Sequence, residues 1–288
     1  MSININGKSR PLGLLGYPVK HTASPAMHNC GFEALHLNYV YLPFEISPEQ
    51  LHTAVKALIP LNFKGVNVTI PHKQNIIPLL DDLSEEARLI GAVNTVEIKE
   101  GKLIGHNTDA AGFIESLKID ADFNLNKKTL CLFGAGGAGF AVAFAAALAG
   151  AEKIFIREPN SAQANNLKTS LQKNFPNLQI SIVTEDSNIK KAVQEADILV
   201  NATPLGMKES DPLVIPAEFI HPNLLVYDLV YNPAETKLLA IAKQKRCQAI
   251  NGLGMLLFQG TKAFEIWTGE KAPLEKMKKA LISTIGIK

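Results

Sequence analysis

Two sets of residues in this sequence have the types and spacing for chemistry. The first is Gly134-Ala-Gly-Gly-Ala-Gly139, which matches the spacing G-x-G-x-x-G. The first glycine allows a tight turn, the second lets a pyrophosphate approach the backbone, and the third permits close packing of a helix on a strand. Free N–H groups at the helix start then bind phosphate. A glycine-rich turn without a ligand is the plain alternative, and the residues on either side favour a dinucleotide. The ribose of such a cofactor is read at the end of the following strand, about twenty residues on. There the sequence is Ile156-Arg157-Glu158-Pro159-Asn160. Arg157 suits a 2′-phosphate and Glu158 suits a free 2′-hydroxyl, so NADP is expected and NAD stays open.

The second set lies in the first half: His21-Thr22-Ala23-Ser24-Pro25, Asn67-Val-Thr69-Ile-Pro-His-Lys73, Gly91-Ala-Val-Asn94-Thr95 and Asn107-Thr108-Asp109. Hydroxyls, amides and one Lys/Asp pair suit a polyol acid as ligand. Taken singly, each has a plain structural reading. Thr22 and Ser24 could be helix caps, Asn94 a turn residue, Lys73 a solvated surface lysine, and Asp109 the cap of a helix starting near Ala111.

The elements that must position these groups follow from periodicity. Leu12–Gly16, Asn38–Phe44 and Gly65–Ile70 read as strands, the last closed by Pro71. Ser24-Pro25 reads as an N-cap followed by Pro at the first helical position, with the helix running to about Leu35. Pro48–Leu58 reads as a second helix, and a third starts at Ser84 and runs to Ile90. Ala92–Ile98 and Leu103–Asn107 flank Lys99-Glu-Gly-Lys102 as a hairpin. Thr129–Phe133 is a continuous apolar run, as a buried parallel strand should be. Phe140–Ala149 reads as a buried helix. Strands at Lys153–Ile156, Gln179–Val183, Asp197–Val200, Leu224–Tyr227 and Ala249–Ile250 alternate with helices, which predicts a doubly wound parallel sheet. Two helices, Met255–Thr268 and Leu274–Ile285, end the chain.

The 288 residues exceed what one core usually holds, so two domains are expected. With 47% apolar and 19% charged residues the composition is that of a globular protein. A net charge of +2 offers no electrostatic footprint for nucleic acid or an anionic membrane. No apolar run is long enough to span a bilayer, and the N-terminus lacks the pattern of a signal peptide. Three separated cysteines and scattered histidines suggest reduced thiols, a cytoplasmic protein and no metal site.

The ordered set Gly16-Tyr-Pro-Val-Lys-His-Thr-Ala-Ser-Pro25, Asn67-Val-Thr-Ile-Pro-His-Lys73, Gly91-Ala-Val-Asn-Thr95, Asn107-Thr-Asp109, Gly134-Ala-Gly-Gly-Ala-Gly139, Asn201-Ala-Thr203 and Asn251-Gly-Leu-Gly-Met255 resembles the shikimate dehydrogenase family. The resemblance covers almost the whole chain. It implies an α/β protein of two domains. Residues 1–110 with 252–288 would form an α/β substrate-binding catalytic domain, and residues 111–251 a Rossmann-type, doubly wound, nicotinamide-binding domain. The implied reaction is reversible reduction of 3-dehydroshikimate to shikimate with NADPH. Position by position, Thr22 and Ser24 would meet the substrate carboxylate, with Tyr231 nearby. Thr69, Lys73, Asn94, Asp109 and Gln259 would surround the ring hydroxyls. Lys73 and Asp109 match the catalytic pair: an ammonium can polarise the carbonyl and protonate the alkoxide left by hydride transfer, while the carboxylate holds the lysine. The cofactor side would comprise Gly134, Ala135, Gly136, Gly137, Ala138, Gly139, Arg157, Leu229 and Gly252, with Glu85 close to the nicotinamide.

Three positions depart from the family pattern. Thr22 stands where serine is usual, which could shift preference toward quinate. Ile156-Arg157-Glu158 stands where Asn-Arg-Thr is usual. Gly139 replaces a more usual alanine. The alternatives are a quinate/shikimate dehydrogenase using NAD and a non-catalytic sensor, the latter opposed by the intact Lys73/Asp109 pair. Monomer and homodimer are both left open.

Overall fold

The computed structural model describes residues 5–286. The chain divides into two compact units, Met1–Gly112 with Leu257–Lys288, and Phe113–Leu256.

The first unit is built on six strands: β1 (Arg10–Gly16), β2 (Tyr39–Glu45), β3 (Gly65–Val68), β4 (Asp82–Leu83), β5 (Thr95–Lys99) and β6 (Lys102–His106). Their order is β2-β1-β3-β5-β6-β4. β1 runs parallel to β2 and β3, whereas β3–β5 and β5–β6 are antiparallel, so the sheet is mixed. The helices are α1 (Ser24–Ala34), α2 (Leu51–Ala57), α3 (Glu85–Ile90), the start of α4 (Asp109–Ala121), and, after the second unit, most of α9 (Leu253–Thr268) and α10 (Leu274–Ile285). One core holds Leu15, Val66, Val68 and Val96 together with Leu51, Val55 and Ala87 from α2 and α3. A second holds Phe32 stacked on Phe264, with Met277 of α10 fully buried. Gly65 is required there. A Cβ at this position would overlap the Trp267 indole nitrogen, which donates to the Val96 carbonyl at 3.0 Å.

Local differences from the sequence-based elements have physical reasons. The helix expected from Pro48 begins as a 3-10 turn, Pro48–Gln50, closed by a Ser47/Gln50 capping box. The strand expected from Ala92 starts at Thr95, because the Val93 N–H donates to the Lys73 carbonyl instead. Ser24 is not the cap of α1. Ala23 holds that position without a side-chain cap, and Ser24 opens the helix with its side chain buried. β4 has two residues, too few to leave a periodic pattern.

The second unit is an all-parallel sheet: β7 (Thr129–Phe133), β8 (Lys153–Arg157), β9 (Gln179–Ile182), β10 (Ile198–Asn201), β11 (Leu225–Asp228) and β12 (Gln248–Asn251), in the order β12-β11-β10-β7-β8-β9. α5 (Gly137–Leu148), α6 (Ser161–Asn174), α7 (Asp186–Glu195) and α8 (Lys237–Gln244) connect the strands. This is the doubly wound order, with its switch point between β7 and β10. Cys131, Phe133, Leu199 and Val226 pack with Ile189 and Val193 of α7 and Leu239 of α8. The Ala-rich α5 is buried from Gly139 to Ala146, as its unbroken apolar sequence requires. Among the described residues no helix is long and apolar enough to cross a membrane.

Candidate active site

In the first unit the catalytic candidates sit where strands end. β3 leads into Thr69-Ile-Pro-His-Lys73, a turn in which the His72 N–H donates to the Thr69 carbonyl. His72 is fully buried and its Nε2 lies 2.7 Å from the Ile46 carbonyl, so the ring anchors the turn that carries Lys73. The Lys73 Nζ lies 2.6 Å from Asp109 Oδ2, and the two side chains are only 13% and 8% exposed. Asp109 is the first residue of α4. An acid there complements the helix N-terminus, and the Asp109 N–H donates to Asn107 Oδ1, fixing its backbone.

Asn94 is the hub. Its Nδ2 donates to Asp109 Oδ1 and Thr108 Oγ1, both at 2.9 Å, and to Gln259 Oε1 at 3.3 Å. Its Oδ1 accepts from the Thr108 N–H at 2.7 Å and from Thr95 Oγ1. Both carboxylate oxygens of Asp109 are therefore engaged, one by a cation and one by an amide. Replacing Asn94 by Ala strands the Thr108 N–H and one Asp109 oxygen in a buried setting. The expected cost is about 2 kcal/mol, read as a lower urea midpoint with an unchanged slope.

Asn67 braces the layer beneath. Its Nδ2 donates to the Asn94 carbonyl and to Thr95 Oγ1, and its Oδ1 accepts from the Tyr41 hydroxyl at 2.7 Å. His28 stacks on Tyr41 at 4.5 Å, and burial takes its pKa down to about 3, so the ring is neutral. Thr22 and Ser24 lie together at the start of α1, with the Ser24 N–H donating to Thr22 Oγ1 at 3.3 Å. Thr69 is half-buried, and its methyl fills the space that a Cβ on Gly16 would need. Glu85 is exposed in the first turn of α3 and shares no hydrogen bond with the Lys73 cluster.

In the second unit the glycine loop joins β7 to α5 at the switch point. Gly134 has φ +96°, a conformation that favours glycine. A Cβ on Gly139 would overlap the Gly134 carbonyl oxygen, whereas one on Gly136 would meet nothing within 4 Å. The N-cap of α5 is Gly136 and offers no side chain to the first N–H groups. This open approach to free N–H groups at the start of α5, from Gly136 to Gly139, fits a dinucleotide pyrophosphate, whereas the N–H groups of Gly134 and Ala135 are donated to the Arg157 carbonyl and to Glu158 Oε2. Arg157 ends β8, and its carbonyl accepts from the Gly134 N–H. Leu229 follows β11, and its carbonyl packs directly on Gly252, which follows β12. Tyr231 is half-buried, and burial raises its phenol above the ordinary value.

Two buried titratable residues that periodicity did not single out pack inside their respective units. Asp228 is fully buried at the end of β11 and accepts from Asn201 Nδ2, Thr236 Oγ1 and the Val230 N–H. Burial pushes its carboxyl above the usual carboxylate range, against the pull of those three donors. His28 is the other. An acid closing the apolar run Leu225-Val-Tyr-Asp228 was the available signal for the first; a histidine inside a helix gave none for the second. Among the described residues no group of three or more His, Cys, Asp or Glu could hold a metal ion.

Comparison with known proteins places this geometry. Residues 14–96 match the model of the shikimate dehydrogenase substrate binding domain, and residues 252–282 that of the shikimate 5′-dehydrogenase C-terminal domain. The NADP(+) shikimate dehydrogenase of Alkaliphilus metalliredigens is 46% identical over 286 residues, covering 98% of this chain and all of the relative. That of Methanopyrus kandleri is 42% identical, covering 98% of each. Among solved structures, shikimate 5-dehydrogenase from Listeria monocytogenes in complex with shikimate and NAD superposes with a TM-score of 0.89 at 38% identity, covering 97% of this chain and 98% of the other. Quinate dehydrogenase from Corynebacterium glutamicum in complex with NAD gives 0.88 at 32% identity, covering 96% and 99%. With end-to-end matches at this level of identity, the chain belongs to the shikimate dehydrogenase family.

Proposed function

We propose that this chain is an NADP-dependent shikimate dehydrogenase that reversibly reduces 3-dehydroshikimate to shikimate. The observation that carries this reading is the Lys73–Asp109 pair, 2.6 Å apart and largely buried among amides and hydroxyls. When bound, the nicotinamide supplies a hydride to the ring carbonyl carbon. As that bond forms, the carbonyl electron pair moves onto oxygen, which then needs a proton. The Lys73 ammonium polarises this oxygen and gives it a proton, becoming an amine; in the oxidative direction the amine takes the proton back. Asp109 holds Nζ in place, and Asn94 in turn holds Asp109.

Thr69, Asn94 and Gln259 hydrogen-bond the ring hydroxyls. Thr22, Ser24 and the protonated phenol of Tyr231 donate to the carboxylate. Gly134 to Gly139 receive the pyrophosphate, Arg157 the ribose phosphate, and Leu229 and Gly252 the nicotinamide end. Three free cysteines suit a reducing, cytoplasmic setting.

The purified full-length chain, given shikimate and NADP+, is expected to produce NADPH; absence of turnover with both NADP+ and NAD+ would overturn the reading. Thr22 and Glu158 favour a second reading, a quinate/shikimate dehydrogenase using NAD. Comparing kcat/KM for the two acids with the two cofactors decides, and a large preference for shikimate with NADP+ removes it.

A further inference from the structure

We infer that Tyr41 is a positioning residue for the reaction: its phenol ends a buried line of hydrogen bonds that holds the Lys73–Asp109 pair in place. The inference rests on reading that pair as the proton-handling centre and extends it into the interior of the first unit.

The line passes from β2 to β3 to β5 and ends at α4. The Tyr41 hydroxyl donates to Asn67 Oδ1 at 2.7 Å. Asn67 Nδ2 donates to Thr95 Oγ1 at 3.0 Å and to the Asn94 carbonyl at 3.1 Å. The Thr95 hydroxyl donates to Asn94 Oδ1 at 3.1 Å, and Asn94 Nδ2 donates to Asp109 Oδ1 at 2.9 Å. Asp109 Oδ2 takes the Lys73 ammonium. None of Tyr41, Asn67, Thr95 and Asn94 is more than 5% exposed, so bulk water does not make good a lost bond.

Every bond in the line is donated in the same direction, because its far end is fixed. A carboxylate can only accept, so Asn94 turns Nδ2 to Asp109 and Oδ1 to the Thr95 hydroxyl. Thr95 gives its one proton to Asn94 and must therefore accept from Asn67. Asn67 Oδ1 then faces away and needs a donor, which is the phenol. Burial keeps that phenol protonated, well above its ordinary pKa. His28 also borders Asn67, yet neither of its ring nitrogens reaches hydrogen-bond geometry with any partner. The Tyr41 backbone is pinned in turn by Asn29 of α1, which accepts from its N–H at 2.8 Å and donates to its carbonyl at 2.9 Å. Without the hydroxyl, Asn67 Oδ1 is buried and has no donor. Its amide regains one by turning Oδ1 to Thr95, whose proton then leaves Asn94. Asn94 loses a partner, and its hold on Asp109 loosens.

Steady-state kinetics of the full-length chain with shikimate and NADP+ test this. Tyr41→Phe keeps the ring and its stacking on His28. It is expected to lower kcat about tenfold while KM for NADP+ stays within about twofold of wild type. Thr95→Val breaks the line further on and should lower kcat by a similar factor. Because both act through one line, the double variant should fall no further than the slower single variant. Met277→Ala opens the core of the same unit at a fully buried position of α10 outside the line; it should lower Tm and leave kcat unchanged. Wild-type kcat in Tyr41→Phe, losses that multiply in the double variant, or an equal loss of kcat in Met277→Ala overturns the inference. If Tyr41→Phe does not fold, Thr95→Val decides: a lowered kcat with unmoved KM for NADP+ supports the line, and wild-type kcat overturns it. No turnover by the wild type with either NADP+ or NAD+ instead overturns the proposed function, and the inference with it.

Discussion

Replacing Lys73 by Ala is expected to lower kcat by about 10²–10⁴-fold while the protein still folds. The magnitude follows from the proposed role: Nζ would supply the proton that the developing alkoxide needs, and among the described residues no other cation shares an ion pair with Asp109. Water can reach a site whose lysine is 13% exposed and will provide some residual protonation. Because the proton moves only as the transition state forms, kcat should fall more than KM rises. Asp109 keeps Asn94 on Oδ1, so loss of the cation does not strip the carboxylate of partners, and circular dichroism should show a native spectrum. Lys73→Arg should not rescue, since a planar guanidinium spreads its charge and holds its proton. Wild-type kcat in Lys73→Ala would remove the mechanism.

The second large effect is structural. Gly252→Ala is expected to destabilise the second unit by about 3 kcal/mol, lower Tm by several degrees and raise KM for the dinucleotide. The new methyl would overlap the Leu229 carbonyl oxygen and lie 2.6 Å from its carbon and 3.0 Å from its Cα. All three are backbone atoms, so no side-chain rotation relieves the contact. Relief requires parting the ends of β11 and β12, which are paired at Asp228 and Asn251. Asp228 also holds Asn201 and Thr236, so the strain reaches the loops expected to meet the cofactor. Thermal melts of Gly252→Ala beside Gly269→Ala measure it. Gly269 has φ +74° but nothing within 4 Å, so it reports backbone strain without a clash.

The contrast between the two halves shows what periodicity can carry. In the second unit the apolar run Thr129–Phe133 and the glycine spacing led directly to a parallel sheet and to a glycine loop between a strand and a helix, because strands buried on both faces leave continuous signals. In the first unit the strands were readable but their pairing was not. Nothing local reports that β3 turns to pair antiparallel with β5, and two-residue β4 has no period to detect. The site divides the same way. A glycine motif carries its own context, whereas Lys73 and Asp109 are separated by 36 positions and look like any surface lysine and helix-start acid. Only the ordered set of motifs joined them. Asn94 as hub and Asp228 as brace emerge from hydrogen bonds across strands, which no one-dimensional pattern records.

The indole that donates to Val96 in the space left by Gly65 belongs to the only tryptophan in the chain. It is almost wholly shielded from solvent. Excited at wavelengths that spare tyrosine, the protein therefore carries an intrinsic fluorophore confined to the first unit. A red shift of its emission during denaturation reports exposure of that core, while far-ultraviolet circular dichroism averages over the helices of both. If the two signals part along a urea gradient, the units unfold in separate steps, and the order of their loss can be read from a single sample.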